Sequence, residues 1–478
     1  MRIENLESYL KVLTDKLGSD ADVVAKPIFA GKKKIGIVYL KSMIDEQLYI
    51  SGILTPIRET KETEISISAL KDEILKSADI SEVQTEEEVI EKVFEDAVII
   101  LIEGEDKGLA VDIEQFPVRP PAEPPTSAVI MGPREGFVEH MKTNITLLRR
   151  KLQSPMFKIE EIKVGRKTNT RIAVCYMSDI ADKDIVKKVK ERLGKIDIDG
   201  VLDSHYLISF ISDRPNSMFK QIGVSEKPDI VAAKLLEGRV AIMLDGSPII
   251  LTVPFMVIED LQNSNDYYTN SHYVSFIRAI RALGIIVATV VPGVYIALRL
   301  YHYKIMPIQF IITISSSTQS LPYSPVIEIV FILVMFLILY EVSLRLPRYL
   351  GLATSIVGAL ILGDTGVKAG LISPPGVIII AMSVISIYVV PDEASQLTLL
   401  RAIFIVLGAA LGLLGVVAGM MFFINHMAII TSYGAPYLAP YAPKIKADMH
   451  DATKKIPVSM AYNRPEALRS KNKVKLKK

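Results

Sequence analysis

Hydrophobic positions follow two different patterns along this chain, and the change comes near residue 276. Before it, apolar residues form short stretches between charged ones. After it come four long apolar runs, at residues 283–300, 326–339, 377–390 and 402–424. A helix needs roughly 18 or more mostly apolar residues to cross a bilayer. Two runs reach that length outright and two reach it with weakly polar flanks, so we predict an all-α polytopic membrane domain over residues 263–430.

The region before the apolar runs predicts a soluble α/β fold in two parts, residues 1–116 and 126–262. Short apolar stretches of period two alternate with stretches of helical period, which is typical of mixed folds. In the first part, the pattern predicts strands at 35–40, 48–54, 98–102 and 109–113, and amphipathic helices at 68–78 and 86–94.

The second part repeats the first in outline. The stretch IGIVYLKSMID at 35–45 resembles IAVCYMSDIAD at 172–182, an offset of 137 positions. The stretch VIILIEG at 98–104 resembles VAIMLDG at 240–246, an offset of 142. We therefore predict two similar subdomains, although buried strands ending in an acidic-Gly turn also look alike without duplication. The proline-rich stretch 117–125 predicts a semi-rigid linker between them, with a partner motif as the alternative.

Composition narrows the function classes. The net charge of +2 gives no reason to expect nucleic-acid binding. Cys175 is the single cysteine, so neither an internal disulfide nor a cysteine zinc cluster can form, and its apolar neighbours predict an inert core position. No phosphate-binding loop, zinc-protease motif or Ser/His/Asp arrangement stands out. We expect no enzyme, no cofactor and no metal, and the polar N-terminus predicts a cytoplasmic soluble region.

Basic residues orient the predicted spans. Arg278 and Arg281 precede the first apolar run, Arg345 and Arg348 follow the second, and the tail 431–478 ends in a lysine-rich stretch. The positive-inside rule then places both termini in the cytoplasm and requires an even number of spans. Four fit, at roughly 278–302, 326–346, 374–391 and 401–427. The segment 391–396 has no basic residue, so we expect it on the opposite side from the soluble region.

Two segments between these spans are too polar to face lipid unaided. Residues 305–322 contain Ser315, Ser316 and Ser317, and residues 352–371 contain Asp364 and Lys368. Such groups are tolerated at membrane depth where they face protein or water. We interpret 352–371 as a re-entrant or partial span, with two further full spans as the alternative. Asp364 and Lys368, four positions apart, either form an ion pair or line an ion path with the serines.

Two carboxylates fall on the second predicted span. Glu328 and Glu341 lie thirteen positions apart, about 20 Å along a helix. A carboxylate within a span needs a partner or water. Both are candidates for an ion path or its gate; the alternative is that each lies at a membrane interface, Glu341 beside Arg345 at i+4.

Many short motifs in order resemble the A-subunit family of GerA-type spore germinant receptors. The resemblance covers roughly residues 130–465 and rests on GPREGFVE at 132–139, EKPDIVA at 226–232, LEGRVAIMLDGSP at 236–248, DYY at 266–268, LRLP at 344–347, VGALILG at 357–363, AGLISPP at 369–375 and PYLAP at 436–440. The stage V sporulation AF proteins share this architecture.

The resemblance implies a protein of the endospore inner membrane that triggers germination with a transporter-like B subunit and a lipoprotein C subunit. It also implies that A subunits form a homo-oligomeric channel for monovalent cations. This chain departs from the family in the second span, where Phe336–Glu341 carries fewer acidic residues than many relatives. An accessory protein of the stage V sporulation AF type, a secondary transporter and a membrane scaffold are the alternatives.

Overall fold

The computed structural model contains two compact units, Met1–Val118 and Arg119–Lys478, which are described separately. The structure describes residues 3, 5–17, 23–30, 33–41, 44, 46–60, 66–75, 80–95, 97–112, 120–124, 131–319, 321–347, 350–351, 356–358, 360–452 and 454–476. The predicted linker 117–125 lies outside the described residues except for 120–124.

Subdomain 1, which is the first unit, is built on one antiparallel sheet in the order β1-β2-β4-β5-β3. Its strands are β1 (Val23–Ala30), β2 (Lys33–Leu40), β3 (Ile80–Val83), β4 (Ala97–Ile102) and β5 (Gly108–Asp112). Its longer helices are α1 (Leu6–Lys16) and α2 (Glu86–Phe94), and shorter helical segments lie at Glu46–Leu48, Tyr49–Leu54, Thr55–Glu59, Ile67–Ala69 and Leu70–Ile74. Helix α2 begins at a capping box between Thr85 and Glu88, which fixes its start at the predicted residue.

Subdomain 2, within the second unit, has a sheet of the same order, β6-β7-β9-β10-β8. Its strands are β6 (Phe157–Val164), β7 (Thr170–Met177), β8 (Gly223–Ser225), β9 (Val240–Leu244) and β10 (Ile250–Val253), and its helices are α3 (Met141–Lys151), α4 (Lys183–Gly194), α5 (Ser204–Ile211) and α6 (Pro228–Leu236). Even the register agrees, because Ile35 pairs with Ile102 in one sheet and Ile172 with Leu244 in the other. The prediction of two similar α/β subdomains is confirmed.

One predicted strand is wrong. Residues 48–54 are helical, and they bury Tyr49 and Ile53 together with Ile57 of the following helix in the core. A helix turns these three positions, which are four apart, to one face and leaves Ser51 on the other, where it is exposed, whereas a strand would turn Ser51 to the same side as Tyr49 and Ile53. The run of apolar residues alone did not distinguish the two periods.

The rest of the second unit is mainly helical. Its helices are α7 (Ser271–Thr289), α8 (Val291–Leu300), α9 (Ile308–Thr318), α10 (Pro325–Arg345), α11 (Pro374–Ile387) and α12 (Ala394–Ile429), with shorter segments at Ile361–Thr365 and Gly366–Lys368 and a small hairpin of β11 (Thr431–Ser432) and β12 (Ala435–Pro436). By length and composition, three helices in the described part are apolar enough to cross a membrane: Ser271–Thr289, Pro325–Arg345 and Pro391–Ile429.

Contacts along the helices show the direction of each. The start of α10 meets the end of α8 through Glu328 and Arg299, and the end of α10 meets the end of α11 through Tyr340 and Tyr388, whose ring centroids are 6.3 Å apart. Helices α10 and α11 therefore run parallel, toward subdomain 2. The intervening segment returns alongside α10, with Gly351 against Ser343 and Gly358 against Leu339. Residues 351 and 358 thus lie beside the second half of α10, and the interpretation of 352–371 as a re-entrant or partial span stays a prediction; residues 352–355 and 359 lie outside the described residues.

The fourth predicted span is not a single helix. Gly412 has φ 63°, a left-handed value that a side chain disfavours, and α12 reverses there. Phe404 and Phe423 consequently lie with ring centroids 5.8 Å apart, although a straight helix would separate them by about 28 Å. The halves 394–411 and 413–429 form a hairpin, and hydropathy could not detect a reversal inside an uninterrupted apolar run.

The predicted position of residues 391–396 is also wrong. Lys220 of subdomain 2 lies 3.7 Å from Asp392 and 3.5 Å from Glu393, so this segment contacts subdomain 2 instead of lying on the opposite side. The expectation failed because the four predicted spans require α10 and α11 to run in opposite directions, whereas their contacts show that they run in the same direction. Asp392 and Glu393 also pair with Lys220, which lies far away in the sequence. The positive-inside rule counts basic residues in the loops next to the spans and so does not detect such a pairing.

Candidate functional site

Glu328 is buried at the start of α10, with 1% of its surface exposed. Its carboxylate lies 2.8 Å from Nη1 of Arg299, and it accepts hydrogen bonds from the backbone N–H of Ser373, at 2.9 Å, and from the Ser373 hydroxyl. The acid thus joins α8, α10 and the start of α11 at the end away from subdomain 2. The arginine was missed in the sequence because it lies 29 positions earlier.

The other predicted charges form exposed pairs within their own helical segments. Glu341 accepts from Arg345 at 2.6 Å, and Asp364 accepts from Lys368 at 2.7 Å. The expected i, i+4 pairing is therefore present in both cases. Glu341 lies toward the other end of α10 from Glu328, so these candidates do not form a single cluster. Their part in an ion path stays a prediction.

The predicted serines lie on α9. Ser315 and Ser316 are exposed together with Gln319, whereas Ile314 on the opposite face is buried against α11 and its neighbours. Ser316 and Ser317 donate to the carbonyls of Thr313 and Ile314, both at 3.0 Å. The C-terminal end of α9 therefore exposes polar side chains, whereas its first half exposes Ile308, Phe310 and Ile312.

A further charged side chain, at the start of the fourth predicted span, is deeply buried in the helical region. Arg401 in α12 is 1% exposed. Its Nη1 lies 3.3 Å from the hydroxyl of Ser383, Nε has no hydrogen-bond partner, and none of the carboxylates in the described part of the chain pairs with it. The sequence alone could have indicated Arg401, because burying a lone arginine within an apolar helix is energetically costly and such a residue usually has a function.

Subdomain 2 is tied to the start of the helices by a buried ionic junction. Asp266 accepts hydrogen bonds from Arg278 Nε at 2.9 Å and from Arg281 Nη1 at 2.8 Å. Arg278 also contacts Asp451 at 2.9 Å, which brings in the C-terminal segment, and Lys455 donates to the Asp266 carbonyl. Burial alone would raise the pKa of Asp266, but the hydrogen bonds from Arg281 and Arg278 outweigh it and hold the pKa below its ordinary value.

A second junction joins subdomain 2 to the segment before α12. Lys220 lies 3.5 Å from both Asp260 and Glu393 and 3.7 Å from Asp392. Burial raises the pKa of Asp260 to about 8; Lys220 opposes this rise, and the carboxylates of Glu393 and Glu259 add to it. Lys220 is thus the shared cationic partner of three carboxyl groups. Asp260 therefore retains its proton to a higher pH than an exposed aspartate does.

A cleft of 560 Å³ separates these junctions. Arg239 and Lys234 line it and neutralise Glu259, at 3.0 and 2.7 Å. Its walls come from subdomain 2, the start of the helices and the C-terminal segment. Subdomain 2 and the helices are thus connected by two ionic junctions and a shared cleft.

Comparison with known proteins gives a consistent result. The family model described as Bacillus/Clostridium GerA spore germination protein matches residues 11–467. Spore germination protein KA of Bacillus subtilis is 33% identical over 96% of this chain and 86% of its own length, and spore germination protein B1 of the same organism is 30% identical over 97% and 98%. Stage V sporulation protein AF of Bacillus subtilis is 27% identical over 89% and 87%.

Among solved structures, the N-terminal domain of the A subunit of the Bacillus megaterium spore germinant receptor GerK3 matches 53% of this chain and 96% of its own length. The identity is 24% and the TM-score is 0.22.

Proposed function

Because the chain belongs to the Bacillus/Clostridium GerA spore germination protein family, we propose that it is a membrane subunit of a spore germinant receptor and forms an oligomeric channel for monovalent cations. It has no catalytic role in this proposal. It resides in the spore inner membrane with both termini in the cytoplasm, and a transporter-like B subunit and a lipoprotein C subunit control its opening.

The exposed polar face of α9 is the observation that carries the channel proposal. The polar face is formed by Ser315 and Ser316 in the C-terminal half of α9 and by Gln319 just after it, whereas the first half of the helix exposes isoleucine and phenylalanine side chains. Hydrocarbon does not accept such a face readily, whereas water or another copy of the chain does. Several copies with α9 turned inward would surround a hydroxyl-lined path. The ionic junctions support control of that path, because they join subdomain 2 to α7 and α12.

Cysteine accessibility tests the path directly. The single native cysteine, Cys175, is buried, and burial raises its pKa to about 12, so a water-soluble thiol reagent will leave it unmodified. In K⁺-loaded liposomes that contain the protein with its B and C subunits, modification of Ser316→Cys should reduce the K⁺ flux. Leu414→Cys, on an exposed position of an apolar helix, is the matched control and should not respond.

The absence of any K⁺ or Na⁺ flux, with or without the partner subunits, would contradict the channel. Inhibition through Leu414→Cys but not through Ser316→Cys would move the path to α12.

An accessory role of the stage V sporulation AF type is the second candidate, favoured by the match to that protein over 89% of this chain. Deletion separates the two. Loss of a receptor subunit abolishes the response to its nutrient, whereas loss of an accessory protein slows germination triggered by several nutrients.

A further inference from the structure

Arg401 carries a buried positive charge that the described protein does not balance. A guanidinium stays protonated in proteins, so this group cannot lose its charge on burial. Its one hydrogen-bond partner, the Ser383 hydroxyl, is neutral and itself donates to the Ala288 carbonyl at 2.6 Å. Isolated burial of a charge is strongly unfavourable. The geometry therefore calls for an anion beside Arg401.

A groove of 520 Å³ leads to this arginine between α10, α11 and the first half of α12. Its walls are mostly apolar, for example Leu337, Val384 and Ile387. The outer side chains of α10 are exposed, including Val334 at 45% and Ile338 at 51%. The groove thus combines one buried cation with apolar walls that open toward the bilayer.

We propose that this groove binds one anionic phospholipid, with the phosphate of its headgroup paired to Arg401 and an acyl chain along the apolar walls. A phosphodiester carries a single negative charge, which balances a single guanidinium. Arginine binds phosphate oxygens through two parallel N–H donors, and Nε of Arg401 is without a partner. Basic pockets between membrane helices bind anionic headgroups in this way.

The depth of the site fits a headgroup. Arg401 lies seven residues after Ala394, about 10 Å along the helix from the end nearest subdomain 2. Tyr340 and Tyr388 line the same groove, and tyrosines concentrate at membrane interfaces. The lipid would therefore belong to the leaflet on the side of subdomain 2.

Two other anions fit less well. The carboxylate of Glu341, which itself lines the groove, is bound to Arg345 at 2.6 Å and would have to leave it to reach Arg401 of the same chain or of a second copy. Free phosphate carries up to two charges and makes no use of the apolar walls. Both serve as outcomes of the test.

Native mass spectrometry of the full-length protein, incubated with equal amounts of phosphatidylglycerol and phosphatidylcholine, tests the proposal. The protein should retain one phosphatidylglycerol with about tenfold preference. Arg401→Gln should remove the preference and Arg401→Lys should keep part of it. Lys304→Gln, which removes an exposed cation that does not line the groove, should change nothing.

A second variant guards against misfolding of Arg401→Gln. Thr398→Phe fills the groove and leaves the arginine, so it should lose the lipid while the protein keeps its wild-type elution profile. Equal retention of both lipids by the wild-type protein overturns the proposal. Displacement of phosphatidylglycerol by millimolar inorganic phosphate also overturns it. So does a Glu341→Gln variant that dissociates from an oligomer and takes up lipid only after dissociation.

Discussion

The two subdomains share a strand order and a register, but they differ in what they bury. In the described part of subdomain 1, no charged side chain is buried, and ion pairs such as Lys107–Glu82 and Lys34–Glu7 are exposed. Subdomain 2 buries Arg239 and Lys227 and shares the buried Asp266 with α7. The two subdomains thus share one scaffold, and buried charge distinguishes the subdomain that precedes the helices. The difference shows that this scaffold does not require a buried ionic interior, which is consistent with the coupling role proposed for the junctions.

The strongest test of this comparison removes Asp266. Asp266→Ala leaves Arg278 and Arg281 without their shared carboxylate, and breaking a buried pair costs about 3–5 kcal/mol. Thermal unfolding of the detergent-purified protein should show a markedly lower midpoint. Glu82→Ala in subdomain 1 is the matched control, since it also removes an acid with two cationic partners, but an exposed one, and should have little effect. If both variants lower the unfolding midpoint equally, the buried ion pairs of subdomain 2 stabilise the protein no more than the exposed pairs of subdomain 1.

Helix α10 carries one buried acid, Glu328, and one exposed acid, Glu341, so the same comparison can be made on a single helix. Glu328→Gln leaves Arg299 without a counter-charge but keeps a hydrogen-bonding group for Ser373, so we expect a loss of about 2–3 kcal/mol, less than for complete removal. Glu341→Gln removes an acid whose pair is exposed and should scarcely shift the midpoint. If cation flux falls in Glu341→Gln while stability is unchanged, the exposed acid lies on the ion path. A flux unaffected by either variant removes both from it.

Much of this contrast is invisible in the sequence. Local periodicity sufficed for α2 and for the strand pair β4–β5, since each buries an apolar face of regular spacing. It failed at Tyr49–Leu54, where a short apolar run fits both periods, and at Gly412, where one backbone angle reverses a helix. The junctions could not be predicted, because Arg278 and Asp451 are 173 positions apart and only the fold brings them together.

The membrane candidates show the same limit. Pairs such as Asp364–Lys368 follow from spacing on one helix, and both partners could be named in advance. Arg401 could be recognised as unusual, but its lack of a partner depends on how α10 and α11 pack around it. Residue type therefore indicated where charges lie along the chain, and packing decided which of them are compensated.

The junction around Lys220 should make stability depend on pH. Asp260 has a pKa of about 8 in the folded protein, above the ordinary value of 3.8, so the folded state binds a proton that the unfolded state has lost. Stability should then fall as pH rises from about 4 to about 8, by about 1.4 kcal/mol for each pH unit over which only the folded carboxyl is protonated. No further loss from this group is expected above pH 8.

Comparison of unfolding midpoints from pH 5 to pH 9 for the wild-type protein and Asp260→Asn isolates this contribution, because Glu393 and Asp392 still face Lys220 in the variant. The variant should show a smaller slope, with the remainder due to groups such as Glu393, whose pKa is also raised by burial. A slope that persists unchanged assigns the effect to another group.

The smallest predicted change in stability concerns the apolar cores of the two subdomains. Gly36 in β2 corresponds to Ala173 in β7 at the offset of 137, and a methyl group on Gly36 would lie 2.9 Å from Cδ1 of Leu6. Overpacking opposes the gain from a stiffer unfolded chain, which is about 0.4–1 kcal/mol, so Gly36→Ala should change stability by no more than about 1 kcal/mol. Ala173→Gly should cost about 1 kcal/mol, since it loses a buried methyl and frees the backbone. The free energy of unfolding of both variants, measured by urea titration, decides whether the two apolar cores accept the same residue at this position. A large loss from Gly36→Ala would mean that the helix packing, and not only the buried charge, has diverged between the copies.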